Sequence, residues 1–433
     1  VASNMGAEWH GILRAICVRP CYACPVETMA VVRPFAAARP RADLAAQISA
    51  PPYDVVSTDE ARKLAAGNPL SFLHVSKPEI DLPPGHDPRA PAAYAVGARN
   101  FMRLFEIGAL MRDPEPRFYL YRQQVADHAQ VGIVATVSCA DYINGVVKRH
   151  ELTHEDVVAD RTRHIEALNA QTGPAFLFYR ARPALDALVE NQIQTPPEID
   201  FVADDGVRHS TWTISDGAII KLIETEFASV PALYIADGHH RTAAAAAVHR
   251  NRGGTGPSSV FLAVLFPHNR VRILPYNRVV KDATGWHGSE LLRKLESVFD
   301  IAPAEVPTPK KKRQVCIYLA GRWYLAEFKP GLDSGGGPVE RMDVVLLQRY
   351  VLEPVFGIAG QGATDRIRYV GGARGTAELE RLVDSGEYSC AFSMFPPSVE
   401  DLMTVADLGR TMPPKSTWFE PKLRDGLFCH LIE

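Results

Sequence analysis

The chain has 433 residues, of which 46% are hydrophobic and 22% are charged, and its formal net charge at pH 7 is −3. This composition is typical of a globular protein with more than one domain, and the small negative charge gives no general attraction to nucleic acid. No apolar run approaches the roughly 20 residues of a membrane span, so we expect neither a nucleic-acid partner nor a membrane.

Residues 1–28 lack the patterning of the rest of the chain. They show no periodicity and no signal-peptide core, whereas clear patterning starts directly after Met29. We therefore expect a disordered or non-native leader, with Met29 as the biological start. No Cys or His pair follows the cysteines of this leader at the spacing of a zinc site. The remaining cysteines, Cys139, Cys316, Cys390 and Cys429, are scattered, which predicts buried thiols in a reducing, cytoplasmic compartment.

Three modules are predicted after the leader. Residues 29–141 contain a turn in "APPYDVVS", a helix over 92–110, and strands in "FYLYRQQV" and "VGIVATVS". Residues 142–282 carry most of the candidate chemistry, and residues 283–433 predict a further α/β module. Because strands and helices alternate irregularly, the fold class is predicted to be α+β (mixed α/β) rather than a regular parallel barrel.

The run His150-Glu151-Leu152-Thr153-His154 matches the H-E-x-x-H pattern of zinc proteases. A zinc site needs both histidines one turn apart on one helix. The preceding "DYINGVV" predicts a strand, an Asn-Gly turn and a second strand, and the next helix is predicted to take Thr153 as its N-cap. This arrangement separates the two histidines and leaves Glu151 as a lone candidate carboxylate.

Two polar residues are predicted on the apolar face of that helix. Arg161 and His164 fall on the same stripe as Val157, Ile165 and Leu168. Because an arginine buried without a partner is costly, Arg161 predicts either an internal salt bridge or a contact with a ligand.

A phosphate-binding turn is predicted at "DGHHR", between a short apolar strand and an alanine-rich helix. A strand that turns through glycine into a helix presents free N–H groups and the positive end of the helix dipole. Arg241 adds a fork of donors suited to phosphate, and His239 and His240 add further donors. The alternative is that Asp237 only caps the helix and the histidines pack locally.

Three segments resemble, in the same chain order, the free serine kinases of the ParB/sulfiredoxin-like superfamily. They are "KRHE", which ends at Glu151, "ADGHHRTAAA", and the C-terminal "PPKSTWFEP". From Met29 to Glu433 the chain also resembles the bacterial family catalogued as domain of unknown function 1015. That resemblance rests on "APPYDV", "RTRHIEALNAQTGP", "DGHHR" and "PPKSTWFEPKLRDGLF".

The resemblance implies a ParB/sulfiredoxin-like nucleotide-binding core in residues 142–282 and a kinase that makes O-phosphoserine from free L-serine and ATP or ADP. It implies Glu151 as the general base, with Asp237 assisting, and Mg²⁺ carried by the nucleotide rather than by a protein cage. The implied binding residues are Gly238, His239, His240 and Arg241 for phosphate and Lys415, Ser416 and Thr417 for the substrate, with Arg161 and His164 as further candidates.

The kinase interpretation makes one structural demand. Lys415 lies far from Asp237 in the sequence, so the C-terminal module has to fold back over the phosphate site. The alternative for "PPKSTWFEP" is a turn in which Trp418 and Phe419 close a core. A non-catalytic nucleotide sensor and a phosphoserine phosphatase also remain open. The module at 29–141 has no assigned chemistry and is expected to cover the site or to mediate a homodimer.

Overall fold

The computed structural model describes residues 29–281, 285–286, 288–360 and 365–433. The expected leader, residues 1–28, lies outside the described residues. The described cysteines, Cys139, Cys316, Cys390 and Cys429, are free and buried, as predicted. Within these ranges no helix has both the length and the apolar character needed to cross a membrane.

The helices are mostly short, and the longest, Pro91–Glu106, has 16 residues. The α-helices are α1 (Ala45–Ile48), α2 (Thr58–Ala65), α3 (Leu73–Ser76), α4 (Pro91–Glu106), α5 (Cys139–Ile143), α6 (Glu155–Leu168), α7 (Pro183–Gln192), α8 (Gly217–Phe227), α9 (His239–Asn251), α10 (Ser289–Leu295), α11 (Asp343–Leu347), α12 (Gly375–Asp384) and α13 (Val399–Asp407). Single 3₁₀ turns occur at Ala42–Leu44, Pro78–Asp81, Gly256–Ser259, His268–Arg270 and Gly372–Arg374, and a π-helical turn at Gln348–Leu352.

The strands fall into two main sheets and three two-stranded pairs. They are β1 (Val32–Arg33), β2 (Ala38–Pro40), β3 (Leu110–Arg112), β4 (Phe118–Val125), β5 (His128–Ser138), β6 (Val147–Lys148), β7 (Ala170–Gln171), β8 (Ala175–Tyr179), β9 (Ile199–Val202), β10 (Arg208–Ile214), β11 (Leu233–Asp237), β12 (Val260–Pro267), β13 (Ile273–Leu274), β14 (Tyr276–Val280), β15 (Phe299–Pro303), β16 (Gln314–Leu319), β17 (Arg322–Phe328), β18 (Ile367–Gly371), β19 (Cys390–Met394), β20 (Trp418–Phe419) and β21 (His430–Leu431).

The larger sheet has nine strands in the order β6-β11-β8-β12-β5-β4-β10-β9, with β1 paired beside β5. It is a mixed sheet, because β6 runs parallel to β11 and β8 parallel to β12, whereas the other neighbours are antiparallel. Every residue of β8 is buried, as expected for a central strand covered on both faces. The fold is therefore mixed α/β, as the alternation of elements predicts.

The smaller sheet has six antiparallel strands in the order β15-β17-β16-β19-β14-β18. The sequence groups β14 with the middle module, but this strand lies in the smaller sheet. The larger sheet contains strands from both residues 29–141 and residues 142–282. The chain thus passes from one main sheet to the other between Pro267 and Tyr276, and the three-module division remains a prediction.

The segment before Glu151 differs from its predicted strand–turn–strand form. Residues Cys139–Ile143 form α5. The Ser138 side chain caps this helix by accepting a hydrogen bond from the backbone N–H of Asp141. The helix α6 begins one residue later than predicted, with His154 rather than Thr153 as its N-cap. Glu151 and the first histidine of the H-E-x-x-H run lie between β6 and α6, so the two histidines do not share a helix, as predicted.

Candidate functional site

A cleft of about 270 Å³ lies at the edge of the larger sheet where β6 and β11 end. The two strands are parallel neighbours, so the residues that follow them emerge side by side. The polar and aromatic side chains around the cleft come from four distant stretches and from β14; they are Tyr53, Asp54, His150, Glu151, Asp237, His239, His240, Arg241, Tyr276, Lys415, Ser416, Thr417, Trp418 and Lys422. The C-terminal segment therefore folds back over the "DGHHR" turn, which is the arrangement that the kinase interpretation requires.

Gly238 is the turn residue between β11 and α9. Its φ of +89° is in the left-handed region, and a Cβ added there would lie 3.1 Å from Arg241 Nε and 3.3 Å from Ala175 Cα. Glycine is therefore required both by the backbone conformation and by the space. The helix begins at His239. His239 and His240 thus belong to the first helical turn, whose N–H groups point out of the helix end towards the cleft.

Arg241 is buried, and both of its terminal nitrogens donate a hydrogen bond within the protein. Its Nη1 donates to the carbonyl oxygen of Pro174 at 2.6 Å, and its Nη2 donates to Asp237 Oδ2 at 3.0 Å. The Nε atom has no hydrogen-bond partner among the described residues. The guanidinium fork that the sequence assigns to phosphate is thus oriented by Asp237 and the neighbouring loop.

Asp237 lies between two cations. Its Oδ1 is 3.6 Å from Lys422 Nζ, and its Oδ2 accepts the hydrogen bond from Arg241. Burial disfavours the ionised carboxylate, but the positive charges of Lys422 and Arg241 outweigh that effect and hold the pKa of Asp237 well below its usual range. Asp237 is therefore a permanently charged group. Sequence reasoning missed Lys422, since nothing in its local pattern separates it from a surface lysine.

Glu151 also faces the cleft, and it has fewer close cationic partners than Asp237. Its side chain is 36% exposed, and its Oε2 lies 3.8 Å from His239 Nδ1. Burial raises the pKa of Glu151, and the nearby charge of Asp237 raises it further, while the positive charges of Lys415 and Lys422 oppose the shift. A carboxylate with a raised pKa in a cleft is suited to accepting a proton from a bound hydroxyl group.

The first histidine of the H-E-x-x-H run contacts the C-terminal segment. His150 Nε2 lies 3.2 Å from Thr417 Oγ1, and the His150 ring meets the His239 ring edge to face at 4.6 Å. Burial lowers the pKa of His150 to about 4 and that of His239 well below its ordinary value, so both rings are neutral at pH 7. No metal-binding group of three or more His, Cys, Asp or Glu side chains occurs within the described ranges.

The predicted substrate segment divides into residues with different environments. Lys415 has a left-handed φ of +58°, and its Nζ lies 5.6 Å from the centre of the Tyr276 ring in the cleft. Ser416 is buried and donates from Oγ to the Pro413 carbonyl oxygen at 2.6 Å, so its hydroxyl group stabilises the turn. Phe419 packs in the core, as the alternative interpretation of this segment predicts. The segment therefore closes a core and also presents Lys415 to the cleft.

Arg161 and His164 do not line this cleft. They border a separate cavity of about 40 Å³ behind it. Arg161 forms an ion pair with Asp160 at 2.6 Å and stacks 4.1 Å from the centre of the Tyr53 ring. His164 Nε2 hydrogen-bonds the Val75 carbonyl oxygen at 2.9 Å, and burial lowers its pKa to about 4. Arg161 thus forms an internal salt bridge, which is one of the two predicted alternatives. It contacts the cleft through Tyr53.

Comparisons with known proteins place the chain in a family without a described activity. The family model described as "Protein of unknown function (DUF1015)" matches residues 32–345. No curated protein matches the sequence.

Solved structures show only distant similarity. A free serine kinase in complex with AMP is 13% identical, with 68% of this chain and 91% of that chain covered and a TM-score of 0.35. SbnI with a C-terminal truncation from Staphylococcus aureus is 10% identical, with 67% and 85% covered and a TM-score of 0.37. A conserved hypothetical protein from Pyrococcus furiosus is 13% identical, with 68% and 94% covered and a TM-score of 0.33.

Proposed function

This chain belongs to the protein family of unknown function DUF1015, and we propose that it is a phosphotransferase that converts free L-serine to O-phosphoserine with ATP or ADP as the phosphoryl donor. The proposal is carried by Glu151, which faces the cleft opposite the positively charged Lys415. Burial raises the pKa of Glu151. The resemblance of the "KRHE", "DGHHR" and "PPKST" segments to free serine kinases supports the same assignment, with a ParB/sulfiredoxin-like core as its structural basis.

The proposed reaction needs a base, because a serine hydroxyl group is a poor nucleophile. Glu151 takes the hydroxyl proton as the serine oxygen attacks the terminal phosphorus of the donor. The bond between that phosphorus and the bridging oxygen breaks, so ATP leaves as ADP, or ADP leaves as AMP. Phosphoryl transfer otherwise depends on positioning and on the neutralisation of charge.

The charged groups of the cleft support that second requirement. The first turn of α9 offers N–H donors to phosphate oxygens, and Lys415, the proposed substrate-binding residue, adds positive charge to the same cleft. The ionised carboxylate of Asp237 is an oxygen ligand of the kind that Mg²⁺ prefers, and an ion carried on the donor phosphates would share its Oδ1 with Lys422, whose Nζ lies 3.6 Å away. When bound there, Mg²⁺ supplies further neutralisation of the phosphate charge.

The test measures turnover in a variant that keeps the shape of the base but cannot accept a proton. Purified protein is incubated with Mg²⁺, L-serine and either ATP or ADP, and phosphoserine is quantified by mass spectrometry. We expect Glu151→Gln to lose at least about 100-fold in kcat, because a general base contributes at least that much. The matched control is Glu155→Gln, an exposed carboxylate at the start of α6, which should retain wild-type turnover.

Two other outcomes would replace the proposal. Nucleotide binding by calorimetry without phosphoserine from either donor would indicate a nucleotide sensor. Release of phosphate from phosphoserine in the absence of any donor would indicate a phosphatase.

A further inference from the structure

We infer that Asp54, from the N-terminal part of the chain, binds the α-ammonium group of the amino-acid substrate and so selects amino acids over hydroxy acids. The inference rests on the proposed function and extends it to the determinant of substrate class. It also gives chemistry to the "APPYDV" turn, to which the sequence assigns none.

Three carboxylates line the cleft, and two of them have other tasks. Both oxygens of Asp237 face cations, at 3.0 Å from Arg241 Nη2 and 3.6 Å from Lys422 Nζ. Glu151 is the proposed base. Asp54 is the third, with a side chain that is 37% exposed and with Oδ2 3.9 Å from Arg241 Nη2, which is too long for a hydrogen bond.

Arg241 serves Asp54 less directly than it serves Asp237. Its Nη2 donates a hydrogen bond to Asp237 at 3.0 Å, whereas Asp54 Oδ2 lies 3.9 Å from the same atom and has only a longer ion pair with it. The single positive charge of Arg241 is also shared with the buried carboxylate of Asp425. Within the described part of the chain the Asp54 side chain has no hydrogen bond, so its oxygens are left for a cation that enters the cleft.

The turn that carries Asp54 is held in place before any ligand binds. Ala50 and Asp425 exchange backbone hydrogen bonds of 3.1 and 2.9 Å. The Tyr53 ring stacks on the Arg161 guanidinium. A carboxylate fixed in this way loses little conformational entropy when it binds a cation, which favours affinity. Arg161 and Asp425 are accordingly positioning residues.

An ammonium group fits this environment better than a protein-bound divalent ion. A single carboxylate with adjacent acceptors satisfies an ammonium group, whereas Mg²⁺ requires six oxygen ligands in near-ideal geometry. A free amino acid brings its ammonium group together with a carboxylate, and Lys415 in the same cleft offers that carboxylate a positive charge.

The experiment compares L-serine with 3-hydroxypropanoate, which has the same hydroxyl and carboxylate groups but no ammonium group. Asp54→Asn should raise KM for L-serine by about 10- to 100-fold, since a charge-assisted hydrogen bond is lost. Its kcat, its KM for the donor and its KM for 3-hydroxypropanoate should stay near the wild-type values. The matched control is Asp59→Asn, whose side chain is 85% exposed in the first turn of α2, and all its constants should be unchanged.

The alternatives give different results. An unchanged KM for L-serine in Asp54→Asn overturns the inference, and a raised Mg²⁺ requirement alone would assign Asp54 to the ion on the donor. Equal losses with both substrates, or a lowered thermal midpoint, would indicate general damage to the turn and also overturn it. Calorimetry of L-serine binding separates the two proposals. If the wild type binds L-serine, Asp54→Asn does not, and neither shows turnover, the inference stands and the kinase proposal fails. If the wild type does not bind L-serine, the inference fails.

Discussion

Replacing Gly238 by alanine should destabilise the protein by about 2–4 kcal/mol, because the substitution strains the backbone and crowds the cleft. The left-handed φ of +89° costs an L-residue about 1–2 kcal/mol. The added Cβ also meets Arg241 Nε at 3.1 Å and Arg241 Cζ at 3.2 Å, and overpacking at such contacts costs about 1–2 kcal/mol. Moving Arg241 would in turn disturb its hydrogen bond to Asp237.

Two other glycines separate these contributions. Gly145 also has a left-handed φ, of +82°, but nothing lies within 4 Å of a Cβ built there, so Gly145→Ala should cost only about 1–2 kcal/mol. Gly217 begins α8 without a left-handed φ and in open space, so Gly217→Ala should be neutral or stabilise by up to about 1 kcal/mol.

The assay is urea denaturation of the four proteins, followed by circular dichroism and compared at their midpoints. Gly238→Ala should unfold at the lowest urea concentration and Gly217→Ala at the highest. Coincident midpoints for Gly238→Ala and Gly145→Ala would mean that the close approach of Arg241 contributes nothing, and the reasoning would be wrong. Phosphate-dependent protection of Gly145→Ala but not of Gly238→Ala would locate the damage at the cleft.

Three further predictions concern the charges around the cleft. Lys415→Met removes a positive charge and should raise the pKa of Glu151 further, which moves the acid limb of the pH profile of kcat/KM to higher pH. If the acid limb stays at the same pH, Glu151 is not the base. Burial raises the pKa of Asp425 to about 7, above its unfolded value of about 3.9. The free energy of unfolding of the wild type should therefore fall as pH rises through that interval, whereas that of Asp425→Asn should not. Denaturation curves at pH 4–8 test this, and the same pH dependence in both proteins would refute it. Lys422→Met should raise the pKa of Asp237 and lower the free energy of unfolding in urea by about 1–3 kcal/mol, because the ion pair is lost. Lys422→Arg keeps the positive charge and should retain most of the stability. Equal losses in the two variants would count against the ion pair.

Much of the fold follows from periodicity. The strand pattern predicts β4 at its observed bounds, and the apolar stripe of residues 92–110 predicts α4. The helix α5 is missed, because β-branched and aromatic residues after Ser138 suggest a strand. A helix forms there since Ser138 caps it and Tyr142 packs on the core that includes α9. Tertiary packing overrides local propensity at this position.

Less of the candidate site follows from the sequence. The "DGHHR" turn is recognisable because a strand, a glycine and a helix occur in one local run. The environment of Arg161 depends on Tyr53, more than a hundred residues earlier in the chain, so no local pattern separates a salt bridge from a ligand contact. The same is true of Asp54 and Lys422, which enter the cleft only through long-range packing.

The dispersal of the cleft along the chain has a consequence for biosynthesis. Lys415 and Lys422 leave the ribosome after every other charged residue of the cleft, and the backbone pairing of Ala50 with Asp425 waits for the same segment. While the earlier parts fold, Asp237 has only one of its two cationic partners. A nascent chain that ends before Pro413 would therefore carry Asp54, Glu151 and Asp237 without either lysine of the cleft.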